Sequence, residues 1–323
     1  MTGVPRIALP AAIDPAAFAG IDRAAPVTVL EGETMGTTWR VRCAGRVSAE
    51  ATTAAIESRL ADLVAQLSHW APESALCRFN AAAAGTWHVL PPDLARVVDL
   101  ALSLAQQSDG AFDPAIGALV DLWGFGPPGP RPVPDAGEIA ATRAGGGWRR
   151  LAWRPRQRSL FQPGGVRLDL SGIAKGYAVD ALGDLLAATG SRHYLVEIGG
   201  EFVGRGVRPD GDPWWVDLEV PPGIILPPLR VALHGIAVAT SGSYVRGAHN
   251  LDPRTGRPPT NGIVAASVIA PTAALADALA SIVLVAYPND AVTRAYPVRL
   301  VTASSPAGGE VLSPPLLAML ADP

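Results

Sequence analysis

The chain has 323 residues, 49% of them apolar and 17% charged, with a formal net charge of −3. This is enough apolar matter for a large buried core and excludes a disordered chain. Weak net acidity without a Lys/Arg-rich run excludes a polyanion such as nucleic acid as the main partner.

The opening MTGVPRIALPAAIDPAAFAG is broken by Pro5, Pro10 and Pro15, and Asp14 sits where the apolar run of an export signal would lie. No leader is read there, and a cytoplasmic location is the expectation. Residues 1–26 read as an extended arm and residues 27–323 as one domain, with the loop 126–137 as the candidate boundary between lobes. Residues 27–31 and 37–43 alternate like strands. Residues 49–67 form an amphipathic helix with Ile56, Leu60, Leu63, Val64 and Leu67 on one face. A second helix runs from Leu94 to Gln107. The stretch FDPAIGALVDLWGFG, residues 112–126, reads as a short helix and a glycine-rich loop, and residues 148–165 as a hairpin. A strand over 166–170 then leads into a helix over 173–189 that Gly190 closes. Further strands are expected at 193–198, 202–207, 214–220, 229–234 and 263–270, with another from Val238 and one beginning at Val298. The longest apolar stretch, Ala270 to Tyr287, approaches the length of a membrane span, but Asp277 interrupts it, so it reads as a core helix carrying a functional carboxylate. Helices and strands mix without βαβ alternation, which points to α+β with antiparallel sheets. Cys43 and Cys77 stand in no metal-type spacing; they read as two separate buried thiols, the alternative being one disulfide.

Four segments could carry chemistry. GxxxxGK[ST] and GxGxxG are both absent, yet LDLSGIAKG places Lys175 in the first turn of a helix, where free amides, the helix dipole and the ammonium favour an anion. Read blandly, Lys175 is a surface lysine. Asp277 and Ser281 are spaced i, i+4 and so share a helix face; one carboxylate and one hydroxyl suit Mg²⁺, and the bland alternative is a satisfied aspartate in a core helix. In HNLDPRTGRPP, His249 precedes a proline-stiffened turn that would hold a general base, unless Asp252 merely caps the turn and His249 is exposed. His69, His88, His193 and His234 lack such a setting and read as structural. The small-residue run from Val238 to Arg246 would let backbone approach a ligand.

Together these segments resemble the ApbE family of FAD:protein FMN transferases. MGTTWRV (35–41), SALCRFN (74–80), FDPAIGALVDLWGFG (112–126), LDLSGIAKGYAVD (168–180), LVEIGGEFVGRG (195–206), VATSGSY with HNLDPRTGRPP, and ADALAS follow one another as the family's motifs do, over about residues 35–285. The resemblance implies a single α+β, T-fold-like domain. It also implies that FAD is a substrate, contacted by Met35, Asn80, Phe112, Asp113, Gly117, Trp123, Gly124, Phe125, Asp169, Ser171, Gly172, Lys175, Asp180, Glu197, Gly199, Gly200, Ser241 and Gly242. Mg²⁺, with Mn²⁺ as the alternative, would rest on the Ala174 carbonyl, Asp277 and Ser281. His249 would be the base, with Asp252 and Lys175 beside it in the catalytic set. A Ser/Thr hydroxyl of an acceptor protein would attack the FMN-side phosphorus and release AMP.

Family acceptors resemble Asp-x-x-Ser/Thr-Gly-Ala-Ser/Thr. This chain's DPRTGRP (252–258) begins that pattern and lacks its alanine and terminal hydroxyl. Ser281 stands where the family more often has threonine, and Cys77 where it has serine. Glu197 replaces a small polar residue; facing the site, it would either repel pyrophosphate or add a metal ligand. The competing readings are an FAD pyrophosphatase that uses water in place of the acceptor, and an FAD-binding protein without turnover.

Overall fold

The structure, a computed structural model, describes residues 4–244, 247, 249–288, 290–303 and 309–321. Its contacts divide the chain into two compact units, one comprising Met1–Leu60, Lys175–Tyr244 and Gly262–Pro323, the other Ala61–Ala174 and Val245–Asn261. The loop 126–137 lies within the second unit and is not where the chain divides.

The first unit is built on an eight-stranded sheet. From one edge to the other its strands are Gly309–Leu312, Val298–Thr302, Ile263–Ala270, Ala237–Gly242, Glu201–Arg205, Tyr194–Ile198, Thr37–Ala44 and Val27–Thr34. Every pairing is antiparallel, as the absence of βαβ alternation in the sequence requires. Period-two alternation puts Trp39, Val41 and Cys43 into the core and Arg40 and Arg42 on the opposite face. Helix Ala273–Ala286 packs on the Ala237–Gly242 and Ile263–Ala270 strands. Nearly all of its side chains are buried, Asp277 among them, so the long apolar run is a core helix. No helix among the described residues is long and apolar enough to cross a membrane. Residues 4–26 are extended in part, but Arg6–Ala8 pairs in parallel with Leu229–Leu233, which pairs in turn with Trp214–Asp217, in a small second sheet. The arm is therefore stitched to the unit.

In the second unit, helix Pro92–Gln107 starts two residues before the expected Leu94, because Pro92 suits a first helical position whose N–H needs no partner. The hairpin is present as Ala152–Arg154 and Ser159–Gln162, with Thr86–Val89 added at its other side. The strand expected over 166–170 is not formed. Arg167 makes one bridge to Ile116, and the remaining bonds of this extended segment go to a loop and to a side chain. Ala75–Asn80 is a short helix capped by Ser74, which accepts the Cys77 N–H at 3.0 Å. Helix Ala136–Gly145 opens on a capping box formed by Asp135 and Glu138. Cys43 and Cys77 are separate thiols, but only Cys43 is buried; Cys77 is half-exposed, its thiol beside the Ser68 and His69 carbonyls.

Candidate functional site

In the first unit the chemistry gathers around the start of helix Ala174–Ala188. This helix approaches helix Ala273–Ala286 so closely that a Cβ on Gly176 would lie 2.2 Å from the Ala273 carbonyl oxygen. Glycine is therefore required at 176. The approach lets the Gly176 N–H donate to Asp277 Oδ2 at 3.1 Å. Asp277 is 2% exposed, and burial raises its pKa. Four residues on, Ser281 lies 3.3 Å, oxygen to oxygen, from Ser241. The i, i+4 reading thus delivers a buried carboxylate and a hydroxyl on one helix face.

Lys175, the neighbour of Gly176, is paired with Glu201: Nζ lies 2.5 Å from Oε1. Glu201 is 1% exposed, and among the described residues no other residue hydrogen-bonds its Oε2. Burial first, and then the Asp277 carboxylate, push Glu201 up to about 8, against the pull of Lys175. Sequence reasoning missed this residue and chose Glu197. Strand alternation decides between them. Glu197 stands opposite Arg40 and Phe202, so it shares their face of the sheet, and its Oε1 accepts the Gly200 N–H at 3.1 Å. Glu201 pairs with Ile198 and takes the other face, where Lys175 and Asp277 lie. The reading of Glu197 as a metal or pyrophosphate contact is corrected on this ground. Gly199 and Gly200, both at positive φ, make the tight turn between the two strands. The signal that points to Glu201 is the four-residue spacing in VEIGGEF: a two-residue turn carries the chain into the next strand, and the second glutamate emerges on the inner face.

Asp180 is also reassigned. Its two oxygens accept the Ala273 and Ala274 N–H groups, each at 2.8 Å, capping the helix that carries Asp277. An FAD contact would compete with both bonds. Met35 lies at φ 50 in the two-residue turn between Val27–Thr34 and Thr37–Ala44. A left-handed backbone at a residue with a Cβ costs about 1–2 kcal/mol, and here the two-residue hairpin turn demands it, with Gly36 following at φ 73. Gly242 packs under the Tyr244 ring, where a Cβ would come within 2.2 Å. Of the segment Val238–Arg246, Val245 and Arg246 lie outside the described residues.

In the second unit the 112–126 loop meets the 249–258 loop. Trp123 Nε1 donates to the Gly256 carbonyl at 2.9 Å, and Phe125 lies edge-on to the His249 ring with centroids 6.4 Å apart. His249 Nδ1 is 3.0 Å from the Gly247 carbonyl. A carbonyl only accepts, so Nδ1 carries the proton and Nε2 is the basic nitrogen. Asp252 does not orient the histidine: its two oxygens hold Arg254 at 2.9 and 3.0 Å and its backbone pairs with Arg257. It caps the turn, and its place in the catalytic set is corrected. Asn80 exchanges two bonds with Leu168, Nδ2 to the carbonyl at 2.9 Å and Oδ1 from the N–H at 2.7 Å. Asp113 accepts from Ala115 and Trp148, and Asp169 from Ser171. These bonds hold the loops in shape. Gly117 and Gly124 are needed where a Cβ would lie 2.8 Å from the Arg167 carbonyl and 2.4 Å from the Arg131 amide. Phe112 is buried, Ser171 is exposed and Gly172 half-exposed in the turn before Ala174, which opens the next helix. His69, read as structural, has Nδ1 3.7 Å from Asp169 Oδ1.

The sequence profile of the ApbE family matches residues 35–297. A protein of Klebsiella pneumoniae named FAD:protein FMN transferase is 38% identical over 269 residues, 79% of this chain and 77% of its own length. Its namesake from Escherichia coli is 35% identical over 271 residues, with 79% and 77% covered. Among solved structures, the flavinyl transferase ApbE of Pseudomonas stutzeri superposes with a TM-score of 0.85 at 33% identity, covering 93% of this chain and 98% of that one. The flavin transferase ApbE of Vibrio cholerae gives 0.82 at 32%, covering 92% and 100%.

Proposed function

The chain belongs to the ApbE family, and from that premise we propose that it transfers the FMN part of FAD, with Mg²⁺, to a Ser/Thr hydroxyl of an acceptor protein and releases AMP. The observation that carries the reading is the turn at Lys175–Gly176, where an ammonium and a buried carboxylate meet, with the Ser281 hydroxyl one helical turn beyond Asp277. These donors fit Mg²⁺, a hard cation that takes few protein oxygens and keeps water and phosphate oxygens for the rest of its shell. Asp277 and Ser281 would hold it, with the Ala174 carbonyl as the family resemblance implies. The bound cation would neutralise charge that gathers on the phosphate oxygens.

The other steps fall to side chains. Lys175 offers its ammonium to a pyrophosphate oxygen, held in place by Glu201. His249, basic at Nε2, takes the proton of the acceptor hydroxyl as that oxygen attacks the phosphorus on the FMN side. The P–O–P bond breaks and AMP leaves. Trp123 and Phe125 keep the histidine loop in place.

The test is to incubate the protein with FAD, Mg²⁺ and an acceptor fragment carrying Asp-x-x-Ser/Thr-Gly-Ala-Ser/Thr. The expected result is covalent flavin fluorescence on the acceptor in a denaturing gel and one AMP per FMN attached. Free FMN and AMP with an unlabelled acceptor would establish hydrolysis instead.

A further inference from the structure

We propose that Glu201 is the second carboxylate of the divalent-cation site: Oε1 anchors Lys175 while Oε2 serves the cation. The inference rests on the cation reading above and adds a residue to it. Lys175 and Gly176 are consecutive. Glu201 holds the side chain of the first at 2.5 Å and Asp277 holds the amide of the second at 3.1 Å. The two carboxylates therefore converge on one helical turn from two different elements, a strand and a helix of the same unit.

Glu201 is placed for more than an ion pair. At 1% exposure it is shut off from bulk solvent, and no other described residue hydrogen-bonds its Oε2. A buried, unpartnered carboxylate oxygen costs several times what a hydrogen bond returns, so an oxygen left this way marks a position kept for something that binds there. The charges agree. Ionised together, the two carboxylates would carry one negative charge more than the Lys175 ammonium offsets, and a divalent cation would supply the balance. Ordinary packing does not account for the residue, since the neighbouring inner-face positions of its sheet are Ile198, Val196 and Val203, all buried and apolar.

The experiment titrates the protein with Mn²⁺ alone, without FAD, and reads free Mn²⁺ by electron paramagnetic resonance. Glu201→Gln, which keeps the shape, should raise the Mn²⁺ Kd at least tenfold. That loss alone does not separate a ligand from a residue that merely neutralises Lys175, so the double variant Lys175→Met/Glu201→Gln decides. As a ligand, Glu201 leaves the double variant at least tenfold weaker than Lys175→Met alone. A double variant equal to Lys175→Met overturns the proposal. Circular dichroism reports whether each variant folds. Should Glu201→Gln not fold, Glu201→Asp replaces it; it retains the charge, withdraws the oxygen by one methylene, and must show the same weakening. Wild-type protein that binds no Mn²⁺ would overturn this inference together with the cation reading. Normal Mn²⁺ binding in Glu201→Gln would overturn this inference alone.

Discussion

Both units bury acidic side chains, but they use them differently. In the second unit the polar oxygens are committed to backbone amides or to a neighbouring guanidinium. Asn80 braces Leu168, Asp113 takes the Ala115 and Trp148 amides, Asp169 takes Ser171, and Asp252 clamps Arg254. In the first unit Asp277 gives one oxygen to Gly176, and Glu201 leaves one that no other described residue hydrogen-bonds. A carboxylate whose hydrogen bonds are complete builds a loop, and one left incomplete in a dry place is kept for a ligand. Residue type does not separate the two; the accounting of partners does.

The largest effect that would break this contrast is at Asp277. Asp277→Ala should remove Mg²⁺-dependent transfer to background, measured as AMP released, while Ser281→Ala should do less, because water replaces a neutral hydroxyl. Full activity in Asp277→Ala would dissolve the distinction between the units. Next comes the one group of the second unit that is read as chemical. His249→Ala should slow transfer by about 10²–10⁴-fold, the range for losing a general base. FAD affinity, followed by flavin fluorescence, should hold; its collapse with the rate on bound FAD intact would make His249 a binding residue.

The loop-building residues should act through stability. Asp113→Ala loses acceptors for two amides, and chemical denaturation should report about 1–3 kcal/mol of lost stability. The turnover of the folded fraction should stay within a few-fold, and a large fall in turnover without loss of stability would return Asp113 to the site. Asp180 sharpens the contrast from the first unit, where it caps a helix yet is raised by burial from 3.8 to about 6 despite two N–H bonds. The folded chain thus keeps this proton where the unfolded chain has released it. The carboxyl's contribution to stability should therefore fall as pH rises from about 4 to about 6. The stability of Asp180→Asn relative to wild type should rise across that window and level above it; a flat difference would contradict the assignment.

The smallest expected effect is none at all. Thr255 lies in DPRTGRP, within a turn closed by the Asp252–Arg257 bridge and braced by Arg143 on the Pro253 carbonyl at 3.3 Å. In-line attack tolerates little misplacement, so intact-mass measurement after incubation with FAD and Mg²⁺ should find no FMN adduct on the chain. A stoichiometric adduct would show the loop to be an acceptor.

Much of this was legible beforehand. Helix 49–67 appears at the expected bounds because its buried residues recur at helical spacing, and Asp277 with Ser281 needed only i, i+4 arithmetic. The DAGE capping box at 135–138 is equally readable from its letters. The extended run at 166–170 was not readable as anything but a strand, since its partners are a loop and the side chain of Asn80, distant in sequence.

By itself the sequence determined most element types, the antiparallel class, the family motifs and their order, because periodicity and turn chemistry are local. Only the tertiary structure decided which carboxylates are free to act. Asp180 and Asp252 look like site residues in a string of letters, and Glu197 looks as eligible as Glu201. Their fates were settled by which amides and guanidinium came within reach, and by a two-residue turn that placed one glutamate outside the sheet and the other inside. Hydrogen-bond satisfaction and burial are properties of packed neighbours, and those neighbours lie up to 101 residues away along the chain.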